Sequence, residues 1–536
     1  MVDDVPPHFV NHREVGHRID EAVLEVVRGM TYGEMLPRGV VGFVHRRFRL
    51  PARMRGCGIR SVVDVSYAAY CACFVESVER MLDRWGHQSV IPGFFPMLQT
   101  TFGAGAFTTG GNRLAGWLAR HSSLGHAFRS SWSIMRAEVQ GAGVAGPLDQ
   151  PPSSAGHGAG AQLQRAITSQ REQVARDRLH REISLLPVED PQREAWFAED
   201  RLSSQWVSAW PTHAVEIESS EFVETVTTYL GRESAALRPF GGQGIPSQPP
   251  RVCDPYGFEL GRAPLPGAPF TDCHNAVAHE FFSIMGEAGV RVDIEPRYLY
   301  ASLIPDPELY AEGQQRPTII CDGIMSLPLQ PSATRRGARA PRAAVQRRWH
   351  FDVKCLFGGG GLYRSPRARD EQSGAVAERA HRVWSEYQTH ARRLDREHSP
   401  PGTTPILDRL HSFHQTRGLV FGQYSEASPD VHACLSYAAT QISRRRWREF
   451  GARSADEARG FVMQTLRRRM GVVTAREMAR HRLHRLPYVG VPRAAIERRQ
   501  LHPRALMGQR RPGLLGDLEP QDFYAHQLRV QPPRGA

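Results

Sequence analysis

Asp352 and Lys354 carry the clearest chemical signal in this 536-residue sequence. Lys354 is the sole lysine, so the remaining 67 of the 68 Lys and Arg residues are arginine. Lysine brings a compact ammonium on a flexible stem into tight sites and can give up its proton, whereas arginine keeps a planar, permanently charged guanidinium. Asp352 lies two residues earlier in an alternating apolar run, which places both side chains on one face of a strand. The alternative is a chance pair on a solvated strand edge.

The hydrophobic periodicity predicts the elements that position this pair. A helix over 274–288 precedes strands over 290–295, 317–325 and 349–357, and a helix over 370–397 leads to a short strand over 418–422. Glu280 lies on the first helix, Asp322 on the second strand, and Asp352 and Lys354 on the third. The predicted fold class is therefore mixed, α+β or α/β, with a helical N-terminal half before these strands and a helical C-terminal extension after them.

This order of elements resembles the αβββαβ core of PD-(D/E)xK nucleases, in which an acid-x-lysine motif lies on the third strand. Residues 253–428 resemble the restriction-like endonuclease domain of non-LTR retrotransposon proteins. His274-Asn275-Ala276 matches the opening of that domain's first helix, and Cys321-Asp322-Gly323 resembles its Pro-Asp-Gly motif. In this family the first acidic residue of the site often lies in an Arg-Pro-x-Asp motif, but here Thr318 and Ile319 follow Pro317. Either Asp322, which lies further along the strand, acts as the first metal ligand, or the site lacks that ligand.

The resemblance implies metal-dependent hydrolysis of a phosphodiester, with Mg²⁺ or Mn²⁺ held by oxygen ligands. The expected metal ligands are Asp322, Asp352 and the main-chain carbonyl of Val353. Lys354 would orient the attacking water or stabilise the pentavalent phosphorus, and Glu280 would hold the metal through water. The expected catalytic residues are therefore Asp322, Asp352, Lys354 and Glu280.

An earlier stretch resembles the same proteins. The loop from Leu50 to Ser61, followed by Ala68-Ala69-Tyr70, is similar to the segment just after their polymerase core, with Arg55 where a glycine is usual. Trp206-Val207-Ser208-Ala209-Trp210-Pro211-Thr212 resembles a second segment of those proteins. No polymerase fingers and palm are expected in the residues given before this loop. The resemblance therefore implies the C-terminal part of such a polyprotein, which cannot polymerise by itself.

Composition narrows the partners and the compartment. The net charge of +13 predicts a polyanionic partner, with target DNA expected first and the element's own RNA as a further candidate. Eight cysteines without regular disulfide spacing, and no secretory signal, predict a reduced intracellular protein of the nucleus or cytoplasm that is not secreted. No apolar run reaches the roughly 18 residues of a membrane span, so no membrane partner is expected. The oligomeric state stays open.

Two further groups of residues have suitable chemistry but weaker spacing. A zinc site is not expected, because no Cys-x-x-Cys pair is present and a degenerate loop explains the same residues: Cys253, Cys273, His274 and His279. Six arginines are candidates for phosphate contacts, with exposed solvated positions as the alternative: Arg364, Arg367, Arg369, Arg444, Arg445 and Arg446. The tetraglycine 358–361 would either let a turn approach DNA or simply reverse the chain.

These patterns predict a division of the chain. The expected regions are a helical post-polymerase segment over 1–139, a disordered linker over 140–162, a helical connector over 163–252, the endonuclease-like domain over 253–428, a basic helical extension over 429–503 and a disordered tail over 504–536. The expected function is nicking of target DNA for reverse transcription. The alternative is a nucleic-acid-binding remnant whose nuclease site has decayed.

Overall fold

The computed structural model describes residues 12–31, 38–70, 159–209, 216–247, 249–265, 269–304, 319–327, 347–413 and 415–493. They belong to two compact units, one ending at Leu186 and the other beginning at Pro187. This division differs from the predicted boundaries at 163 and 253, because the helices after Pro187 pack with the sheet domain. The predicted tail over 504–536 and most of the predicted linker lie outside the described residues.

Helices build the described part of the first unit: α1 (His12–Thr31), α2 (Arg38–Arg49) and α3 (Ala159–Ser184). Arg46 on α2 forms a two-pronged ion pair with Glu182 on α3, with N–O distances of 2.8 and 2.5 Å. Asp20 on α1 accepts a hydrogen bond of 2.5 Å from Ser61 Oγ. Because α3 begins at Ala159, the last four residues of the predicted linker are helical.

The loop after α2 requires unusual backbone geometry. Arg55 has a φ of 70°, the left-handed conformation that glycine adopts without strain. A Cβ at the next residue, Gly56, would lie 2.0 Å from the carbonyl oxygen of Leu50. The loop therefore needs glycine at position 56, where the backbone passes close to Leu50. At position 55 it has an arginine, although the left-handed backbone there favours glycine.

The second unit begins with small elements and then forms a four-stranded sheet. Its first elements are α4 (Pro191–Ala198), α5 (Ser219–Tyr229), β1 (Gly244–Ile245), β2 (Arg251–Val252) and α6 (Phe258–Arg262). The sheet region follows as α7 (Pro269–Glu287), β3 (Val292–Ile294), β4 (Gly323–Leu327), β5 (Arg347–Leu356), α8 (Pro366–Asp370), α9 (Gly374–His398), α10 (Pro405–His411), β6 (Arg417–Gly422), α11 (Pro429–Arg446) and α12 (Ala455–Leu483). The predicted mixed α/β class is confirmed.

The sheet order is β3-β4-β5-β6. Strands β3, β4 and β5 pair antiparallel, whereas β6 pairs parallel to β5. A parallel neighbour needs a crossover connection, which the long helix α9 helps to supply. Thus α7, three strands, α9 and β6 follow one another in the order that the periodicity predicts, with the short helices α8 and α10 added on either side of α9.

The two faces of the sheet pack against different helices. Trp349, Phe351 and Val353 on β5 are fully buried in a core that contains apolar residues of α7, α11 and α12. On the opposite face, Ile324 of β4 packs with apolar residues of α9 and α10. Alternation along β5 therefore directs Asp352 and Lys354 toward the α9 face.

The helices predicted as a C-terminal extension are instead part of this core. Residues 455–483 form one continuous helix rather than the two predicted segments, and α12 packs on α7, α11 and α5. Its arginines form ion pairs across the unit: Arg469 with Glu280 and Glu287, Arg480 with Glu221, and Arg482 with Glu224. Among the described residues, no helix has the length and apolarity needed to cross a membrane.

Candidate active site

Asp352 is a buried carboxylate with a lysine beside it. Lys354 Nζ lies 2.9 Å from Asp352 Oδ1 and 2.8 Å from Oδ2. Asp352 is 3% exposed, whereas 36% of the Lys354 side chain is exposed. The ammonium therefore lies at the boundary between the buried carboxylate and solvent.

Asp322 lies across the strand pair from Asp352. Gly323 pairs with Phe351, so the antiparallel register continues to Asp322 opposite Asp352. Asp322 Oδ2 accepts a 2.5 Å hydrogen bond from the main-chain N–H of Val353. In an extended strand the N–H and C=O of one residue point to the same side, so the Val353 carbonyl also points to the side of β5 on which β4 and Asp322 lie.

His274 completes the contacts of Asp322. Its Nε2 lies 3.2 Å from Asp322 Oδ2, and Asp322 raises the pKa of His274 to about 9. The imidazole is therefore protonated at neutral pH. Each of the two carboxylates thus has its own cation: Asp322 is paired with His274, and Asp352 is paired with Lys354.

Tyr387 on α9 holds Asp352 from above the sheet. Gly418 pairs with Asp352 in β6, and a Cβ at Gly418 would lie 2.8 Å from the Cα of Ala380, so α9 passes very close to the strands. The Tyr387 hydroxyl reaches Asp352 Oδ1 at 2.9 Å and the Ile320 carbonyl oxygen at 3.2 Å. The sequence places Tyr387 on the apolar face of a helix. The signal for a role was only that a buried tyrosine hydroxyl usually finds a partner.

The electrostatic balance at Asp352 favours the neutral carboxyl more than usual. Burial raises the pKa of Asp352, and the neighbouring charge of Asp322 raises it further. Lys354 and the hydroxyl of Tyr387 act against this increase in pKa. Asp352 and Asp322 therefore form one interacting pair of acids, in a cluster that also contains a lysine ammonium.

Glu280 does not join this cluster. Its carboxylate lies 2.8 Å from the guanidinium of Arg469, which also contacts Glu287 at 2.8 Å. Glu280 is six residues after His274, which places the two side chains about 120° apart around α7. The structure therefore places Glu280 in the packing between α7 and α12, where Arg469 occupies its carboxylate, and its expected role in holding the metal through water stays a prediction.

The four residues considered for zinc lie apart. Cys253 is buried in the small core around β1, β2 and α6, and His279 is exposed on α7. Cys273 lies in the main core beside Cys355, whereas His274 contacts Asp322. Among the described residues, no group of three or more His, Cys, Asp or Glu side chains converges in a way that could hold a metal. These side chains have separate structural surroundings.

The candidate phosphate-binding arginines differ in exposure. Arg364, Arg444 and Arg445 are exposed residues, and the guanidinium of Arg445 lies against Gly289. Arg367 is paired with Glu371 at 2.8 Å, and Arg446 with Glu449 at 2.6 Å. The side chain of Arg369 lies outside the described residues.

The tetraglycine 358–361 begins inside the protein and ends at its surface, with Gly358 and Gly359 buried and Gly361 exposed. The main-chain N–H of Gly359 donates to Glu194 at 2.9 Å, and that of Gly358 donates to Gln423 at 2.6 Å. A Cβ at Gly359 would lie 2.7 Å from the ring of Phe258. Gly358 and Gly359 therefore permit close packing within the second unit, whereas a Cβ at Gly361 would meet no atom within 4 Å.

The donor set of the site fits a hard divalent cation. Asp322, Asp352 and the carbonyl of Val353 are oxygen ligands of the kind that Mg²⁺ and Mn²⁺ prefer. Asp352 Oδ2 is buried and contacts Lys354 without a well-aligned hydrogen bond. A bound cation would compete with Lys354 and His274 for the two carboxylates, so the two protein cations would have to move aside.

Comparison with known proteins does not extend these observations. The chain matches no protein-family model and, at a significant level, no curated protein.

Proposed function

We propose that this chain is a metal-dependent DNA endonuclease derived from a retroelement protein, and that it nicks target DNA to expose a 3′ end for reverse transcription. The observation that carries the proposal is that Asp322 binds the main-chain N–H of Val353, the residue between Asp352 and Lys354, whose side chains contact each other. An acid pair beside a lysine is a residue set that can support metal-dependent hydrolysis of a phosphodiester.

Two further observations support the proposal. The element order α7, β3, β4, β5, α9, β6 resembles the PD-(D/E)xK core, and the acid-x-lysine lies on the third strand of that order. Arg55 adopts a left-handed φ of 70° at the position where the similar retroelement loop carries glycine. Both features agree with descent from a protein of that kind.

Each residue of the site has a proposed role. Asp322, Asp352 and the Val353 carbonyl would hold Mg²⁺ or Mn²⁺, which when bound neutralises charge that develops at the phosphate. Lys354, displaced from Asp352, would orient the attacking water or stabilise the phosphorus centre. Tyr387 would keep Asp352 in place through its 2.9 Å hydrogen bond. His274 would compensate the charge of Asp322 until the metal enters.

The proposed substrate is DNA. The net charge of +13 favours a polyanion, and the exposed residues Arg364, Arg444 and Arg445 are the proposed phosphate contacts. The element's RNA is a further proposed partner on the same electrostatic ground. The proposed nuclear or cytoplasmic location follows from this substrate.

The test is nicking of supercoiled plasmid in the presence of Mg²⁺ or Mn²⁺. We expect the wild-type protein to convert supercoiled to relaxed DNA, and Lys354→Ala to lose about 10²-fold or more in rate. Arg393→Ala, which removes an exposed arginine of α9, is the control and should nick at the wild-type rate. Equal nicking by wild type and Lys354→Ala would refute the assignment of the site.

The charge balance of the site favours one alternative, a nucleic-acid-binding remnant that no longer cleaves. Two protein cations already neutralise the two aspartates. In that case the wild type would not nick plasmid with either metal. It would still bind DNA with a strong dependence on salt, and Lys354→Ala would bind equally well.

A further inference from the structure

Two thiols lie in contact directly behind the candidate active site. Cys273 Sγ on α7 and Cys355 Sγ on β5 are 3.8 Å apart. Cys273 precedes His274, which contacts Asp322, and Cys355 follows Lys354, which contacts Asp352. The pair therefore connects the backbone segments that carry both cations of the site.

The surroundings of the two thiols differ in a way that suits stepwise oxidation. Cys355 is partly exposed, whereas Cys273 is 3% exposed within the main core. A small oxidant would meet Cys355 first, and Cys273 lies next to it as the resolving thiol. Neither residue is needed by the proposed hydrolysis, because β5 alternation turns Cys355 away from Lys354 and Asp352.

We propose that Cys273 and Cys355 form a reversible disulfide that switches off the candidate active site. This inference rests on the proposed function for its effect on cleavage, but the disulfide itself does not. Hydrogen peroxide first converts the Cys355 thiol to a sulfenic acid and releases one water. The Cys273 thiol then attacks the Cys355 sulfur, the S–S bond forms, and a second water leaves with both thiol protons accounted for.

The geometry indicates why the bond would disturb the site. A disulfide needs an S–S distance of about 2.0 Å, so the two sulfur atoms must approach by almost half of their present 3.8 Å separation. We expect this closure to draw β5 and α7 toward each other on the face opposite Lys354. Misplacement of catalytic groups by about 1 Å can cost about 10²-fold in rate. We expect a loss of that order, with restoration by dithiothreitol.

The first readout needs no DNA. The full chain is treated with peroxide and then digested, and mass spectrometry identifies linked peptides. We expect a Cys273–Cys355 link in the wild type and in the control Cys434→Ala, whose thiol lies in the same core. Cys273→Ser and Cys355→Ser should form no such link. Absence of the link in the wild type, at peroxide levels that oxidise Cys355, would overturn the proposal.

The second readout uses the sole lysine of the chain as a reporter. An amine-reactive reagent labels Lys354, and the labelled peptide measures how accessible its amine is. We expect peroxide to raise the labelling rate severalfold in the wild type but not in Cys273→Ser, because the Lys354–Asp352 contact loosens. A link with unchanged labelling would overturn the proposed coupling, even if the reduced protein never nicks DNA. Where it does nick, the linked form should be slower by about 10²-fold.

Discussion

Lys354→Met tests the electrostatic reading of the site through protein stability. Methionine keeps much of the apolar stem and removes the ammonium, so Asp352 loses the cation at 2.8 Å. Removing one partner of a fully buried ion pair costs about 3–5 kcal/mol. Because 36% of the Lys354 side chain is exposed, water replaces part of the lost interaction, and we expect about 2 kcal/mol near pH 8.

The effect of this substitution should depend on pH with a defined sign. Burial raises the pKa of Asp352 above its ordinary value, so this residue lowers stability as pH rises from the unfolded pKa through the folded one. Without Lys354 the pKa of Asp352 rises further, because its main counter-charge is gone. The deficit of Lys354→Met should therefore shrink as the pH falls and Asp352 becomes protonated in the folded protein, and it should be larger at about pH 8 than near pH 4.

A double-mutant cycle with urea unfolding measures this coupling. The free energies of unfolding of wild type, Asp352→Asn, Lys354→Met and the double variant are compared near pH 8. We expect a coupling energy of about 1–2 kcal/mol, which shrinks as the pH approaches 4. A coupling below about 0.5 kcal/mol at pH 8, or a deficit independent of pH, would refute the reasoning.

Three further changes test other parts of the structure. Tyr387→Phe removes a hydrogen bond to the buried Asp352, so urea unfolding should show a loss of about 1.5–3 kcal/mol, and a loss under 0.5 kcal/mol would contradict it. Burial raises the pKa of Glu426 to about 8, so the unfolded chain ionises first and stability falls by about 1.4 kcal/mol per pH unit between the two pKa values. Glu426→Gln should remove that slope in unfolding curves collected from pH 5 to pH 8. An unchanged slope would mean that another group causes the pH dependence. Glu280→Gln should lower the unfolding free energy by about 1–3 kcal/mol through its contact with Arg469 but leave the plasmid-nicking rate unchanged, and a large loss of rate would return Glu280 to the active site.

The strands of the second unit could be predicted because their signal is local. β5 alternates between fully buried Trp349, Phe351 and Val353 on one face and Asp352 and Lys354 on the other. A period of two needs no knowledge of the partner strands. The same local rule placed Asp352 and Lys354 on one face, and the structure brings them into contact.

Other features depended on contacts between distant parts of the chain. Arg480 and Arg482 lie in the predicted basic helical extension, but they pair with Glu221 and Glu224, about 260 residues earlier in the chain. Similarly, His274 had suitable atoms for zinc, and only the placement of α7 against Asp322 determined its partner. Residue types could be read from the sequence, whereas pairing required the packing of whole elements.

Titration calorimetry with Mn²⁺ tests most directly the claim that Asp322 and Asp352 form one metal site. We expect one Mn²⁺ per chain in the wild type, and no binding at this site in Asp322→Asn or Asp352→Asn. Lys354→Met should bind Mn²⁺ more tightly than the wild type, because the competing ammonium is gone from Asp352. Unchanged Mn²⁺ binding in both aspartate variants would contradict the account.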